Sequence, residues 1–373
     1  MKIALVSPFD LAQPGGVASH VTHLGAELAK AGHAVTTIAP KAARAGAEVA
    51  GTFYGIGRTI AIPTNGSWAR ITLDLTRLRE LRAILRRERF DVVHLHAPLT
   101  PALPWMVLLG SKAVNVATFH AYRAASAWYR VFGPLFAPLL GRLHGRIAVS
   151  GPARDFADRY FPGRYEVIPN GVDLERFGPQ VEPFPWANDG VPRILFVGRF
   201  DEPRKGLATL LRALPLVRAA VPEARVLVVG TGRRERFARL LAAVGDGVEF
   251  AGYANPDVLP RFYASCEVFC SPATGNESLG IVLLEALASG TPVVASNIPG
   301  FASVVTSGED GILVRPDDPR DLADALVRLL TDRTHRSALA EAGRVTAARY
   351  AWPRIAERVL AAYEAAALRA ADG

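Results

Sequence analysis

The sequence predicts an α/β protein made of two doubly wound parallel sheets. Three observations carry that reading. The chain has 373 residues, half of them hydrophobic. That is more than one compact core absorbs, and it excludes a disordered chain. Short apolar runs of strand length alternate with stretches of helical period, the pattern of βα units in a parallel sheet. The alternation also occurs twice. The series are separated by residues 177–193, which hold four prolines, an Asn188-Asp189-Gly190 turn and no periodicity.

In the first series, residues 2–6, 34–38, 92–95, 114–118 and 147–149 read as buried strands. Residues 17–31 read as a helix with Val21, Leu24 and Leu28 on one stripe. In the second series the strands are 194–197, 226–229, 248–250, 268–270 and 293–295. A first domain over 1–180 and a second over 181–351 follow, with a long terminal helix from Trp352 onwards. In open α/β sheets ligands bind beyond the C-terminal ends of the strands, so the loops there are the informative ones.

The formal charge is +8 and the pI about 9.8. Nucleic acid, anionic lipid and anionic small substrates all suit that balance. No helix-turn-helix, zinc-finger or RNA-recognition signature accompanies it, so nucleic acid ranks last. Met1-Lys2 runs straight into the first strand, and no run approaches the ~18 apolar residues of a membrane span. A cytoplasmic protein is expected. Cys266 and Cys270 lack the partners of a zinc site and read as buried thiols.

The chemistry concentrates in residues 275–286, Gly-Asn-Glu-Ser-Leu-Gly-Ile-Val-Leu-Leu-Glu-Ala. This stretch follows the strand at 268–270 and opens a helix over 281–289 that stops at Gly290. A helix N-terminus offers free N–H groups and a partial positive charge, an anion site. Gly280 permits close backbone approach. Glu277 in the loop and Glu285 inside the helix bracket that tip, eight residues apart. Phosphates on the N–H groups and hydroxyls on the two carboxylates would match a nucleotide sugar. Two carboxylates serving only the helix dipole and a solvated face fit the spacing equally well.

The stretch from Glu277 to Glu285 resembles the E-x7-E signature of the retaining glycosyltransferases of family 4, and the resemblance runs over nearly the whole chain. It implies a GT-B fold, two Rossmann-like domains facing a central cleft, with the terminal helix crossing back to the first. Within that family the chain resembles members that move mannose from GDP-mannose to phosphatidylinositol. The donor would bind the second domain. The implied donor set is Glu277 on a hexose hydroxyl, Glu285 on the ribose and Arg199 with Lys205 on the diphosphate. Ser278, Leu279, Gly280 and Ile281 form the helix tip, and Gly16 faces the diphosphate from the first domain. His120 would contact the transferred hexose, and Asn65 with Arg70 would hold the inositol phosphate headgroup. Catalysis would be front-side attack with the leaving phosphate taking the acceptor's proton, by positioning and charge stabilisation. The family's charged base contacts have no counterpart at Pro256 and Leu259, and Ala97 stands where an acidic residue is found.

The remaining loops read as follows. Residues 62–70 are a polar turn by composition. Residues 76–89 hold six arginines, two glutamates and an apolar stripe of Leu78, Leu81 and Leu85 that Leu75 extends. A basic amphipathic helix of this kind suits an anionic membrane surface, and in the family a basic cluster here serves membrane association. Peripheral attachment to the inner face of the cell membrane is therefore expected. Residues 122–140 interleave Tyr122, Trp128, Tyr129, Phe132 and Phe136 with arginines, a membrane-interface composition that a helix packed in its own domain shares. His94 and His96 alternate at a strand end. A metal would need a third ligand, none stands near in sequence, and no metal site is expected. Gly230-Thr231-Gly232 lacks the third glycine and the acidic partner of a dinucleotide fingerprint. No two aspartates are separated by one residue, so the diphosphate charge would fall to Arg199, Lys205 and helix dipoles, with Mg2+ not strictly required and no further cofactor. Another lipid-linked or soluble sugar acceptor, or a sugar-nucleotide epimerase of the same fold, remain the alternatives.

Overall fold

A computed structural model of the chain describes residues 1–12, 15–41, 49–64, 67–123 and 125–371, the side chains at 63, 64, 67–69, 127, 128, 132 and 135 excepted. The chain divides into two compact units, Met1–Gly171 with Trp352–Gly373, and Val172–Ala351.

The first unit carries β1 (Lys2–Val6), β2 (Ala34–Lys41), β3 (Thr52–Arg58), β4 (Ile60–Thr64), β5 (Ser67–Ile71), β6 (Val92–His96), β7 (Val114–Phe119), β8 (Gly145–Ala148) and β9 (Glu166–Val167). Seven of these form one sheet in the order β3-β2-β1-β6-β7-β8-β9, and every pairing in it is parallel. Side chains alternate across it, as strand geometry requires. Ile3 and Leu5 join the core beneath α1 (Gly16–Lys30) and the C-terminal helix Trp352–Ala371. Ala4 and Val6 join the core under α2 (Leu78–Glu88), α3 (Leu103–Gly110) and α4 (Ala127–Leu140). A fifth helix, α5 (Gly151–Tyr160), completes the unit.

Several expectations change here. Strand β3 has no apolar run to announce it, because Gly55 and Gly57 interrupt it. The stretch at 62–70 is no simple turn: β4 and β5 pair antiparallel, with Pro63 in register with Trp68 and Ala61 with Arg70 along the backbone. The stripe of α2 faces inward. Leu81 and Leu85 are buried in the unit's core with Ile84, and Leu78 packs against it, while Leu75 lies outside in a short 3₁₀ turn. The apolar face expected to meet lipid is thus consumed by the protein, and the six arginines are the part left exposed. In α4, Phe136 is buried against Trp105, and Tyr129 packs on Phe156, Tyr160 and Phe161.

The second unit carries β10 (Arg193–Val197), β11 (Arg225–Val229), β12 (Val248–Gly252), β13 (Val268–Ser271), β14 (Val293–Ser296) and β15 (Ile312–Val314), all parallel in the order β12-β11-β10-β13-β14-β15. Ile194, Val226 and Val268 face α6 (Leu207–Ala220); α7 (Ala238–Val244) also packs on this core. Leu195, Leu227 and Phe269 face the opposite layer, which holds α8 (Leu259–Ala264), α9 (Ile281–Ser289) and α10 (Pro299–Ala302). Helices α11 (Pro319–Thr331) and α12 (Arg333–Ala348) close the unit ahead of the C-terminal helix. Cys266 and Cys270 are buried free thiols, and burial pushes both thiol pKa values far up.

The first unit ends at Gly171, earlier than the expected boundary after residue 180. Val172 and Phe177 already belong to the second unit's core, and Val172 N–H donates to Tyr350 O at 2.8 Å. The proline-rich stretch lies on that unit too. Trp186 sits under the Arg193 guanidinium, 4.6 Å from ring centre to Cζ. Prolines here mark a segment laid along a surface, which also lacks periodicity.

Candidate active site

In the second unit the site is built where β10 and β13 end. The chain leaves β10 at Gly198-Arg199 and makes a short 3₁₀ turn at Pro203–Lys205. Gly206 follows with φ +76°, and a Cβ there would lie 1.8 Å from Pro272 O. Only glycine lets these two loops run that close. Thr274 N–H ties them further by donating to Arg204 O at 2.9 Å.

The close approach produces a chain of ion pairs. Lys205 Nζ lies 2.7 Å from Glu277 Oε1, and Arg204 Nη1 contacts the same oxygen at 2.5 Å. Arg204 Nη2 reaches back to the buried Glu202 at 2.8 Å, and Glu202 also takes Arg199 Nε at 2.9 Å. Three cations meet two carboxylates, leaving one positive charge in surplus. Arg199 is half exposed at the end of this chain. Such an array, fixed before any ligand arrives, can accept an anion with little reorganisation.

The tip of α9 stands beside it. Gly280, the residue before the helix, has φ +92°, and a Cβ there would press on the Phe301 ring at 2.8 Å. Among the described residues no side chain caps this tip, so its first N–H groups are open to a ligand. Ser278 and Ile281 are half-buried and Leu279 is buried. One turn into the helix, Glu285 Oε2 accepts from Tyr263 O–H at 2.8 Å. Burial pushes the Glu285 pKa up to about 7, opposed by that hydrogen bond and by the charge of Arg176.

In the first unit Gly16 is exposed at the start of α1, whose tip also has no side-chain cap among the described residues. One turn on, His20 points into a cluster of imidazoles. His120, just past β7, has its Nε2 3.2 Å from Nδ1 of His96 on β6. The His20 ring centre lies 5.1 Å from that of His96 and 5.0 Å from that of His120. His20 Nδ1 is held at 2.7 Å by Asn170 Oδ1. His94 is anchored on both sides, Nδ1 to Tyr363 Oη and Nε2 to Thr118 Oγ1, each at 2.7 Å. Desolvation keeps these rings neutral. The His20 pKa is lowered to about 4 and that of His94 to about 3, and His96 and His120 also fall well below the usual value. Repulsion from neighbouring rings adds to the effect for His94, His96 and His120. Sequence spacing gave His94 and His96 no further ligand. The fold brings two more histidines to His96, and this corrects the reason for setting a metal aside.

Arg70 is exposed on β5, its carbonyl accepting from Asp10 N–H at 3.0 Å. Asn65 lies outside the described residues. The structure thus gathers Arg199, Lys205, Glu277, Ser278, Leu279, Gly280, Ile281 and Glu285 in one unit, and places Gly16, Arg70 and His120 in the other. It adds Glu202, Arg204, Tyr263 and His20, which sequence reading missed. Arg204 had a signal, since it is adjacent to Lys205. Tyr263 and His20 had none, because their neighbours are distant in sequence.

Two parallel doubly wound units in one chain define the GT-B class of glycosyltransferase folds. The crystal structure of a glycosyltransferase from Rickettsia africae superposes with a TM-score of 0.77 over 97% of each chain, at 18% identity. Residues 14–176 match the family model "Glycosyltransferase Family 4", and 191–332 match "Glycosyl transferases group 1". A phosphatidyl-myo-inositol mannosyltransferase of Mycobacterium tuberculosis is 37% identical over 98% of this chain and 97% of its own length. A GDP-mannose-dependent monoacylated alpha-(1-6)-phosphatidylinositol monomannoside mannosyltransferase of Corynebacterium glutamicum is 36% identical over 52% of this chain and 55% of its own. The chain belongs to glycosyltransferase family 4, and it is a glycosyltransferase.

Proposed function

We propose that the protein is a retaining mannosyltransferase that moves mannose from GDP-mannose to the inositol headgroup of phosphatidylinositol. The observation that carries this is the ion-pair chain ending on Glu277 at the uncapped tip of α9. Lys205, Arg204 and Arg199 offer charge for a diphosphate, and the helix N–H groups offer it hydrogen bonds. Once an anion engages the cations, Glu277 is freed to accept from a hexose hydroxyl. Glu285, when ionised, accepts from the ribose diol. His120 is neutral, so it can contact the hexose without adding charge to the leaving group. The near-full-length similarity to a phosphatidyl-myo-inositol mannosyltransferase supports the acceptor, and the name of the second relative supports the donor. Arg70 and Asn65 are the residues proposed for the headgroup phosphate.

Membrane attachment rests on the arginines of α2 rather than on its apolar stripe. Arg79, Arg82, Arg86 and Arg89 are exposed with no acidic partner among the described residues. Each cation near an anionic surface contributes about 1 kcal/mol. Among the described residues no helix is long and apolar enough to cross a membrane. Transfer from radiolabelled GDP-, UDP- and ADP-sugars, with and without phosphatidylinositol vesicles and with and without a chelator, tests the reading. Label entering the lipid from GDP-mannose, with the axial anomer and unaffected by the chelator, is expected. Label absent from the lipid with every donor overturns the acceptor. Loss of transfer in the chelator overturns the metal-free part.

A further inference from the structure

The polar core of the first unit is unlike that of an ordinary α/β sheet. Three imidazoles converge from three segments far apart in sequence: His20 on α1, His96 at the end of β6 and His120 just past β7. One ring nitrogen from each lies within 4.8 Å of the other two. His96 Nδ1 and His120 Nε2 are already 3.2 Å apart, about the ~3.3 Å edge spanned by two nitrogens on a tetrahedral metal. His20 Nε2, the nitrogen turned away from Asn170, is buried without any hydrogen-bond partner. A buried polar atom left in that state normally signals a ligand or a strain.

The surroundings are arranged as a metal site needs them. Asn170 accepts from His20 Nδ1, which fixes the tautomer and turns the lone pair of Nε2 inward. That is the usual outer-shell support of a ligating histidine. Trp352 packs edge-on against His20 at 5.2 Å and limits its rotation. His94, saturated by Tyr363 and Thr118, packs against His96 with ring centres 4.3 Å apart and planes tilted by 33°, and supports it without competing as a ligand. His120 is half-buried while the other two are buried, so His120 is the member of the trio nearest solvent.

We propose that His20, His96 and His120 form a binding site for a divalent transition-metal ion of the Zn2+ type. Three neutral imidazoles select borderline ions such as Zn2+, Co2+ or Cu2+ and discriminate against Mg2+ and Ca2+, which prefer oxygen. The ion displaces the proton shared between His96 and His120. That proton moves to the far nitrogen of the same ring, and each ligand stays neutral overall. Zn2+ is then an inhibitor, because it occupies the imidazole proposed to meet the hexose. This last consequence rests on the role proposed for His120; the binding itself does not.

Co2+ titration of chelator-treated, tag-free full-length protein tests the site by its visible ligand-field absorbance. Zn2+ retained after dialysis gives the stoichiometry. One ion per chain is expected, with an intense tetrahedral-type band that Zn2+ displaces and Mg2+ does not. His20→Gln and His96→Gln should each weaken binding at least 100-fold. Asn170→Ala, which removes no ligand, should weaken it about 10- to 100-fold, and circular dichroism checks that each variant is folded. Absence of the band in folded wild-type protein overturns the site. So does a band with unchanged affinity in the folded Asn170→Ala variant and in whichever histidine variants fold.

Discussion

The two units solve opposite electrostatic problems with the same sheet architecture. At the strand ends of the second unit, Glu277, Glu202, Arg199, Arg204 and Lys205 each face an opposite charge within 2.9 Å. At the strand ends of the first, His20, His94, His96 and His120 are stripped of water and made neutral. One array is ready for an anion. The other offers lone pairs and hydrogen bonds without charge.

The largest test of this contrast is Glu277→Gln. The substitution keeps the shape and removes the charge, leaving Lys205 and Arg204 without their common partner. If Glu277 meets the hexose in the transition state, transfer should fall about 10²- to 10³-fold. Binding of the nucleotide diphosphate alone should hold or tighten, since Lys205 is released toward it and Arg204 keeps only Glu202. Isothermal titration beside the radiolabel assay separates the two effects. Turnover kept while nucleotide affinity and melting temperature drop would reduce Glu277 to a clamp between loops.

A second test uses the opposite signs of the two sites. Burial lowers the His20 pKa from the usual 6.5 to about 4. The unfolded chain therefore binds the proton first, and the stability held above pH 6.5 is lost as pH falls toward 4, by about 2 kcal/mol at pH 5 from this ring alone. Glu285 has its pKa raised from 4.5 to about 7. Its folded form binds the proton first, so the second unit loses stability as pH rises from 4.5 through 7. Hydrogen exchange of chelator-treated protein, corrected for intrinsic rates, should show protection falling in β6 and β7 between pH 7 and 5 while it rises around α9. Both units moving in one direction would break the comparison.

The same contrast explains what the sequence made legible. The helix at 281–289, its stop at Gly290 and the glutamates on either side of its tip were readable because all the relevant contacts are local or periodic. The ten strands of the two expected series are also found, since buried parallel strands are continuous apolar runs. The stripe on α2 was readable as a stripe, yet periodicity shows only that a face is covered. The core of the first unit covers it, so the lipid reading lost its apolar half. Strand β3 was hidden by its glycines, and the hairpin β4–β5 by its polar composition. The imidazole cluster was least legible of all. Its members stand at 20, 94, 96 and 120, and only the order of β1, β6 and β7 in the sheet brings them together.

The finest test concerns Glu285 and the tyrosine that donates to it. With a pKa near 7, the carboxyl is half protonated at neutral pH, and a protonated carboxyl is a poorer acceptor for the ribose diol proposed there. Proton and donor then compete. The affinity for a sugar nucleotide, whose own diphosphate does not titrate in this window, should be about tenfold weaker at pH 6 than at pH 8. Tyr263→Phe removes the hydroxyl 2.8 Å from Glu285 Oε2, and with it a hydrogen bond that favours the ionised form. The midpoint of the affinity curve should move upward by a few tenths to about one pH unit. Binding at pH 9 should change by less than about twofold, because the carboxylate is ionised there in both proteins. The fold should lose about 1 kcal/mol for the missing bond. A midpoint that stays put, or moves down, would mean that the titration governing donor affinity belongs to another group, and the ribose role of Glu285 would go with it.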